Sequence, residues 1–171
     1  MRYFQSTISQ IACVAGSSHT LTLDDSKTID TAFRKLVRQI VGHPSDWDYS
    51  RPYHELLHAT NIRVSNFIVT SNINTWSIEI RKRQWAFVGS ILRSDNCKWC
   101  FKLFHWRPAG SRTRGRPYLR FQDQFDKYWH HMHEIAEPLG ITLANHWTDA
   151  IHNEQHWQKY LASFIEYHSI H

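Results

Sequence analysis

A chain of 171 residues with a hydrophobic share of 42%, 8 Trp, 7 Tyr and 9 Phe carries enough apolar surface for one ordinary core, which excludes a disordered chain. No apolar run approaches the ~20 residues that cross a bilayer, which excludes a spanning helix. The net charge of +5 conceals an uneven distribution: Arg81 to Arg120 holds eleven basic residues against one acid, Asp95, while the rest of the chain has nine basic and fourteen acidic residues.

In chain order, MRYFQSTISQIACVAG reads as a short helix that stops at Gly16. Next, Ile29, Phe33, Leu36, Val37 and Ile40 recur at three and four and line one helix face. Thr22, Asp24 and Asp25 suit its N-terminal end, Gly42 and Pro44 its stop, and the opposite face carries Arg34, Lys35 and Arg38. SRPYHELLHATNIRVSNFIV is helical through Leu56, Leu57, Val64 and Ile68. TWSIEIRKRQWAFVGSILR follows, with Ile78, Trp85, Val88 and Leu92 on one stripe and Arg81, Lys82 and Arg83 beside it.

A short helix is expected from Asn96 to Trp106, then a linker from Arg107 to Arg116, where Pro108, Gly110 and Gly115 oppose regular structure. Pro117 suits the first turn of a helix carrying Phe121, Phe125, Tyr128, Trp129, Met132 and Ile135 and ending near Pro138 and Gly140. One last helix takes Trp147, Ala150, Ile151, Trp157, Leu161, Phe164 and Ile165 in register. With no alternating strand pattern and no repeat, the expected class is mainly α, an irregular helical bundle with a basic Gly/Pro-containing linker.

Such lopsided charge attracts a polyanion whatever the fold. The expected contacts are Arg81, Lys82, Arg83, Arg107, Arg112, Arg114, Arg116 and Arg120, with Arg34, Lys35 and Arg38 as a second row on backbone phosphates of RNA or DNA. RGRP at Arg114–Pro117 matches the core of a minor-groove-inserting hook: glycine permits close approach and a narrow groove concentrates negative potential. Phosphate gripping is the preferred reading of the segment, and a solvated linker the bland one.

Cys97, Cys100 and His105 open like a zinc knuckle, but the fourth position is Gly110, and tetrahedral zinc needs four ligands. The expectation is no metal, with two small thiols on a buried helix face. His130 and His133 stand one turn apart in HHMHE, where a polar helix face is the simpler reading. An odd, low cysteine count fits a reducing compartment rather than a disulfide framework. Gly-rich phosphate loops and G-x-S-x-G are missing, and Asp24–Asp25 is explained by capping. No enzyme and no cofactor are expected.

RKRQWAFVGSILRSDNCKWCFKLFHWRPAGSRTRGRPYLRFQDQF resembles the region beyond the polymerase core in non-LTR (LINE-like) retrotransposon reverse transcriptases. The matched positions are Arg83, Trp85, Gly89 and Arg93, then Trp99, Trp106–Pro108, Gly115–Pro117 and Arg120–Asp123. A closing set follows at Trp147, Ala150, Asn153 and Trp157. Upstream, GSSHTLTLDDSKTIDTAFRKLVRQIVG is similar to the family's thumb entry, with Phe33, Arg34, Leu36, Arg38, Ile40 and Gly42 in place. His19 stands where the family has Trp, and Ser90 where it has His. The resemblance implies thumb-like helices over 1–94, a short helix and basic linker over 95–120, and a C-terminal helical pair over 121–171. It includes no palm and no catalytic aspartates, so it implies a degenerate or recruited copy that holds nucleic acid without polymerising it, nuclear if retrotransposon-like. The second expectation is an accessory subunit of a protein or ribonucleoprotein assembly.

Overall fold

The computed structural model describes residues 8–14, 16, 19–42, 44, 50, 52–95, 97–106, 120–139 and 142–170. Among them there is no strand, and the chain is mainly α. The helices are α1 (Ser9–Val14), α2 (Leu23–Val41), α3 (Tyr53–Thr70), α4 (Trp76–Leu92), α5 (Trp99–His105), α6 (Asp123–Ala136), α7 (Trp147–Ile151), α8 (Glu154–Lys159) and α9 (Leu161–Ile170). A 3-10 turn, Glu137–Leu139, extends α6.

Local chemistry sets the start of α2. The Thr22 hydroxyl accepts from the Asp25 N–H at 3.2 Å, and the Asp25 carboxylate accepts from the Thr22 N–H at 3.0 Å, a reciprocal capping box. Thr22's hydroxyl and backbone bonds hold the Asp25 carboxyl below its ordinary range. Replacing Thr22 with alanine is expected to cost about 1 kcal/mol, read as a lower urea midpoint. A carboxylate with a depressed value stabilises the fold above its ordinary range and loses that contribution as pH falls through the folded value. The gap between Thr22→Ala and the parent should therefore narrow in acid; a gap independent of pH would exclude Asp25 as the partner. At the other end, Gly42 has φ +68°, which disfavours any side chain, and its N–H bonds Arg38 O at 2.9 Å.

α2 buries Phe33 and Val37, whereas Ile40, expected on the same stripe, is exposed. α3 lies against α2, with Leu56, Thr60 and Val64 buried and Asn61 accepting from Arg38 Nη2 at 2.7 Å. Asn72, at φ +49°, makes the tight turn out of α3. α4 has no side-chain cap of its own. Asp30 of α2 supplies one, accepting from the Ser77 N–H at 2.9 Å and hydroxyl at 2.6 Å.

α4 buries nine of its 17 residues because both hydrophobic clusters are built on it. Its first half gives Trp76 and Ile80 to a cluster with Cys13, Phe33, Val37 and Val64. Its second half gives Trp85, Val88, Ile91 and Leu92 to a cluster with Phe125, Tyr128, Trp129, Trp147, Trp157 and Phe164. Trp85 and Trp157 stack with ring centroids 3.6 Å apart and planes 7° from parallel. Each indole N–H donates to the other residue's carbonyl, at 3.1 and 3.2 Å. Gly89 makes this approach possible, since a Cβ there would come within 2.8 Å of Trp157 Nε1.

Three expectations are corrected. The expected single C-terminal helix is three: the Asn153 side chain accepts from His156 N and starts α8, and the Trp157 carbonyl is taken by the Trp85 indole and by the Tyr160 N–H, which ends it. α6 begins at Asp123, later than expected, with its carboxylate accepting from the Arg120 N–H; Pro117, expected in its first turn, lies outside the described residues. Ile135, expected on the inner face of α6, is exposed, and Ala136 is buried instead.

Candidate nucleic-acid interface

Arg81 was expected at the surface, and the structure places it inside, at 3% exposure. Its guanidinium donates to Leu21 O, to Gln84 Oε1 at 3.2 Å and to Gln124 Oε1 at 2.7 Å. Gln84 in turn donates to Gly16 O at 3.1 Å and His19 O at 2.7 Å. Burial pushes the Arg81 guanidinium down to about 10, opposed by the nearby Asp25 carboxylate, so it stays charged at neutral pH. Its fork satisfies acceptors on three segments and faces no external phosphate.

Arg83 is half-buried, 4.0 Å from Glu79, and donates to both the side chain and the carbonyl of Gln10 on α1. Arg38 is turned to Asn61. Their charges are therefore partly committed within the fold. Lys82 is half-buried, and Arg34 and Lys35 are exposed on α2; among the described residues no carboxylate lies within ion-pair distance of these three. Arg34 borders a groove of about 360 Å³ between α2, α4 and α9, together with Lys27 and His168. The groove's acid, Asp30, is already engaged by Ser77. Arg120 is half-buried at the entry to α6. Arg107, Arg112, Arg114 and Arg116 lie outside the described residues, as does the RGRP segment.

Lys98 and Lys102, which the sequence reading did not single out, are exposed at α5, again with no described carboxylate in ion-pair range. The signal that finds them is the helical period of α5, which sends Phe101 and Phe104 inward against the second core and leaves the facing side to solvent.

The same period corrects the reading of the cysteines. Cys97 and Cys100 are exposed rather than on a buried face, and His105 is exposed as well. Among the described residues, no group of three or more His, Cys, Asp or Glu is placed to hold a metal. His130 lies 3.5 Å from Glu134, while His133 Nε2 lies 3.0 Å from Ala144 O, so the two rings serve different partners. No described helix is long and apolar enough to cross a membrane.

The residues that carry the retrotransposon resemblance are mostly structural. Trp85, Gly89 and Trp157 form the stacked pair and its clearance, and Arg93 reaches Glu154 at 3.6 Å. Trp147 donates to Asp126 at 2.6 Å, Asn153 caps α8, and Asp123 receives the Arg120 N–H. Comparisons with protein-family models, with curated proteins and with solved structures find no match to this chain.

Proposed function

We propose that this chain is a non-catalytic nucleic-acid-binding unit, related to the thumb and tail of non-LTR retrotransposon reverse transcriptases, that grips backbone phosphates. One observation carries the reading. From Lys98 to Arg120 the chain has seven basic residues and no acid, and Lys98 and Lys102 have no carboxylate in ion-pair range among the described residues. Uncompensated charge of one sign along a short stretch is the footprint of a phosphate-binding surface. Arg34 and Lys35 add a second exposed pair; Arg81 is left out of the interface.

Titrating labelled RNA and DNA at increasing salt, read by fluorescence anisotropy, tests it. Neutralising about five to seven phosphates gives a log–log slope of about −4 to −6. Replacing Arg112, Arg114 and Arg116 with glutamine should flatten that slope by about 3 and weaken all sequences alike. Affinity that barely changes between about 50 and 200 mM salt excludes phosphate gripping. A loss confined to A·T tracts would assign RGRP to the minor groove instead.

A second reading, a helical accessory subunit of a protein or ribonucleoprotein assembly, draws on exposed apolar residues: Ile11 and Val14 on α1, and Ile62 and Val69 on α3. A folded monomer that binds nucleic acid alone favours the first reading, and a chain that orders only inside a complex favours the second.

A further inference from the structure

The outer face of α5 is an unusual surface. Trp99 is 76% exposed, Leu103 64% and Trp106, the residue that ends the helix, 67%. Positions i, i+4 and i+7 fall on one stripe of a helix, so these three side chains share a side. Lys102, three residues after Trp99 and four before Trp106, stands between the rings, with its ammonium 5.6 Å from the centre of the Trp99 ring. Lys98 precedes the first turn and is also exposed.

Burial elsewhere in the chain makes this exposure informative. Trp85, Trp147 and Trp157 are buried in the second core, and their indole N–H groups donate to Trp157 O, Asp126 and Trp85 O. The helix is held from behind by Phe101 and Phe104, and the Phe104 carbonyl accepts from Gln122. The outward rings are therefore mounted on a fixed support. A rise of about 1.5 Å per residue puts Trp99 and Trp106 about 10 Å apart along the axis, room for two splayed bases with the lysines near the phosphates between them.

We propose that this face of α5 is a stacking platform for unpaired bases, on which Trp99 and Trp106 hold two bases and Lys98 and Lys102 the adjoining phosphates. The occupant is single-stranded nucleic acid. A duplex keeps its base faces stacked on each other and has none to offer, whereas every unpaired base presents one. A purely apolar partner would leave Lys98 and Lys102 desolvated without an anion. The proposal rests on the nucleic-acid reading above and narrows it to a strand type.

The test uses the full chain, labelled single strands of DNA and of RNA of about 20 nucleotides, and a duplex of the same length. The variants are Trp99→Ala with Trp106→Ala, and Lys98→Gln with Lys102→Gln. Exposed positions are chosen so that the fold survives, checked by an unchanged circular dichroism spectrum and Tm. The expected result is that the parent binds single strands more tightly than duplex and quenches its tryptophan fluorescence on doing so. The double tryptophan variant should lose roughly 10- to 100-fold on single strands, keep its duplex affinity and keep its salt slope. The lysine variant should instead flatten the single-strand slope by about 1.4. Equal binding of single strands by the tryptophan variant overturns the platform while leaving phosphate gripping intact. Parent protein that binds neither form at low salt overturns both. Self-association that disappears in the tryptophan variant would give the face to a second copy of the chain and overturn the proposal.

Discussion

Trp85→Ala is expected to remove about 3–5 kcal/mol of stability, a large fraction of the roughly 5–15 kcal/mol that a folded domain possesses. The ring is 1% exposed and meets Phe125, Tyr128, Trp157 and Phe164 at centroid distances of 6.0, 5.9, 3.6 and 4.7 Å. Truncation leaves a cavity that these flat, interlocked rings cannot close, and it removes the indole donor that draws the Trp157 carbonyl out of the helical ladder. The reciprocal bond survives, because Trp157 donates to the Trp85 backbone, which alanine also has. Trp85→Phe separates the two contributions: it keeps most of the ring and loses the N–H, at a cost of about 1–2 kcal/mol. Urea midpoints with unchanged m-values are the measurement. A Trp85→Ala midpoint within error of the parent would mean that the stacked pair does not hold the second core together.

Where sequence and structure agree, the information is local. α2 is legible because its cap, its acidic first turn, Phe33, Val37 and its closing glycine lie within about one helix length, and each acts through its neighbours. The break between α8 and α9 is not legible, because the donor that takes the Trp157 carbonyl comes from a residue 72 positions away, whereas the start of α8 rests on the local Asn153 cap. Ile40 and Ile135 fit the helical period yet stay exposed, since the width of a buried stripe is set by what packs on it and not by the stripe. Trp85, Gly89, Trp147 and Trp157, which carry the resemblance to the retrotransposon pattern, serve packing, and a search for contacts to nucleic acid has to look past them. The face of α5 was available from its period alone: Phe101 and Phe104 on one side and Trp99, Leu103 and Trp106 on the other.

Charge type misleads most at Arg81. Arginine is almost never fully buried unless its donors are satisfied, and here they are, by Leu21 O, Gln84 and Gln124. Arg81→Ala is expected to cost about 3–5 kcal/mol, because three buried acceptors lose a charged donor together. Arg81→Lys should recover little: an ammonium at the end of a flexible stem lacks the planar fork that reaches acceptors on different segments. Leu21 immediately precedes the Thr22 cap, so the damage should spread to the start of α2, seen as faster amide exchange over the first turn of α2 while the Trp85 core stays protected. Duplex and single-strand affinities, measured where the variant is still folded, should match the parent in both strength and salt slope. A folded Arg81 variant whose salt slope falls by about 1 would return this residue to the phosphate surface and undo its assignment as an internal tie. The wild-type side chain is charged and basic, but the first shell of protein acceptors has already claimed it.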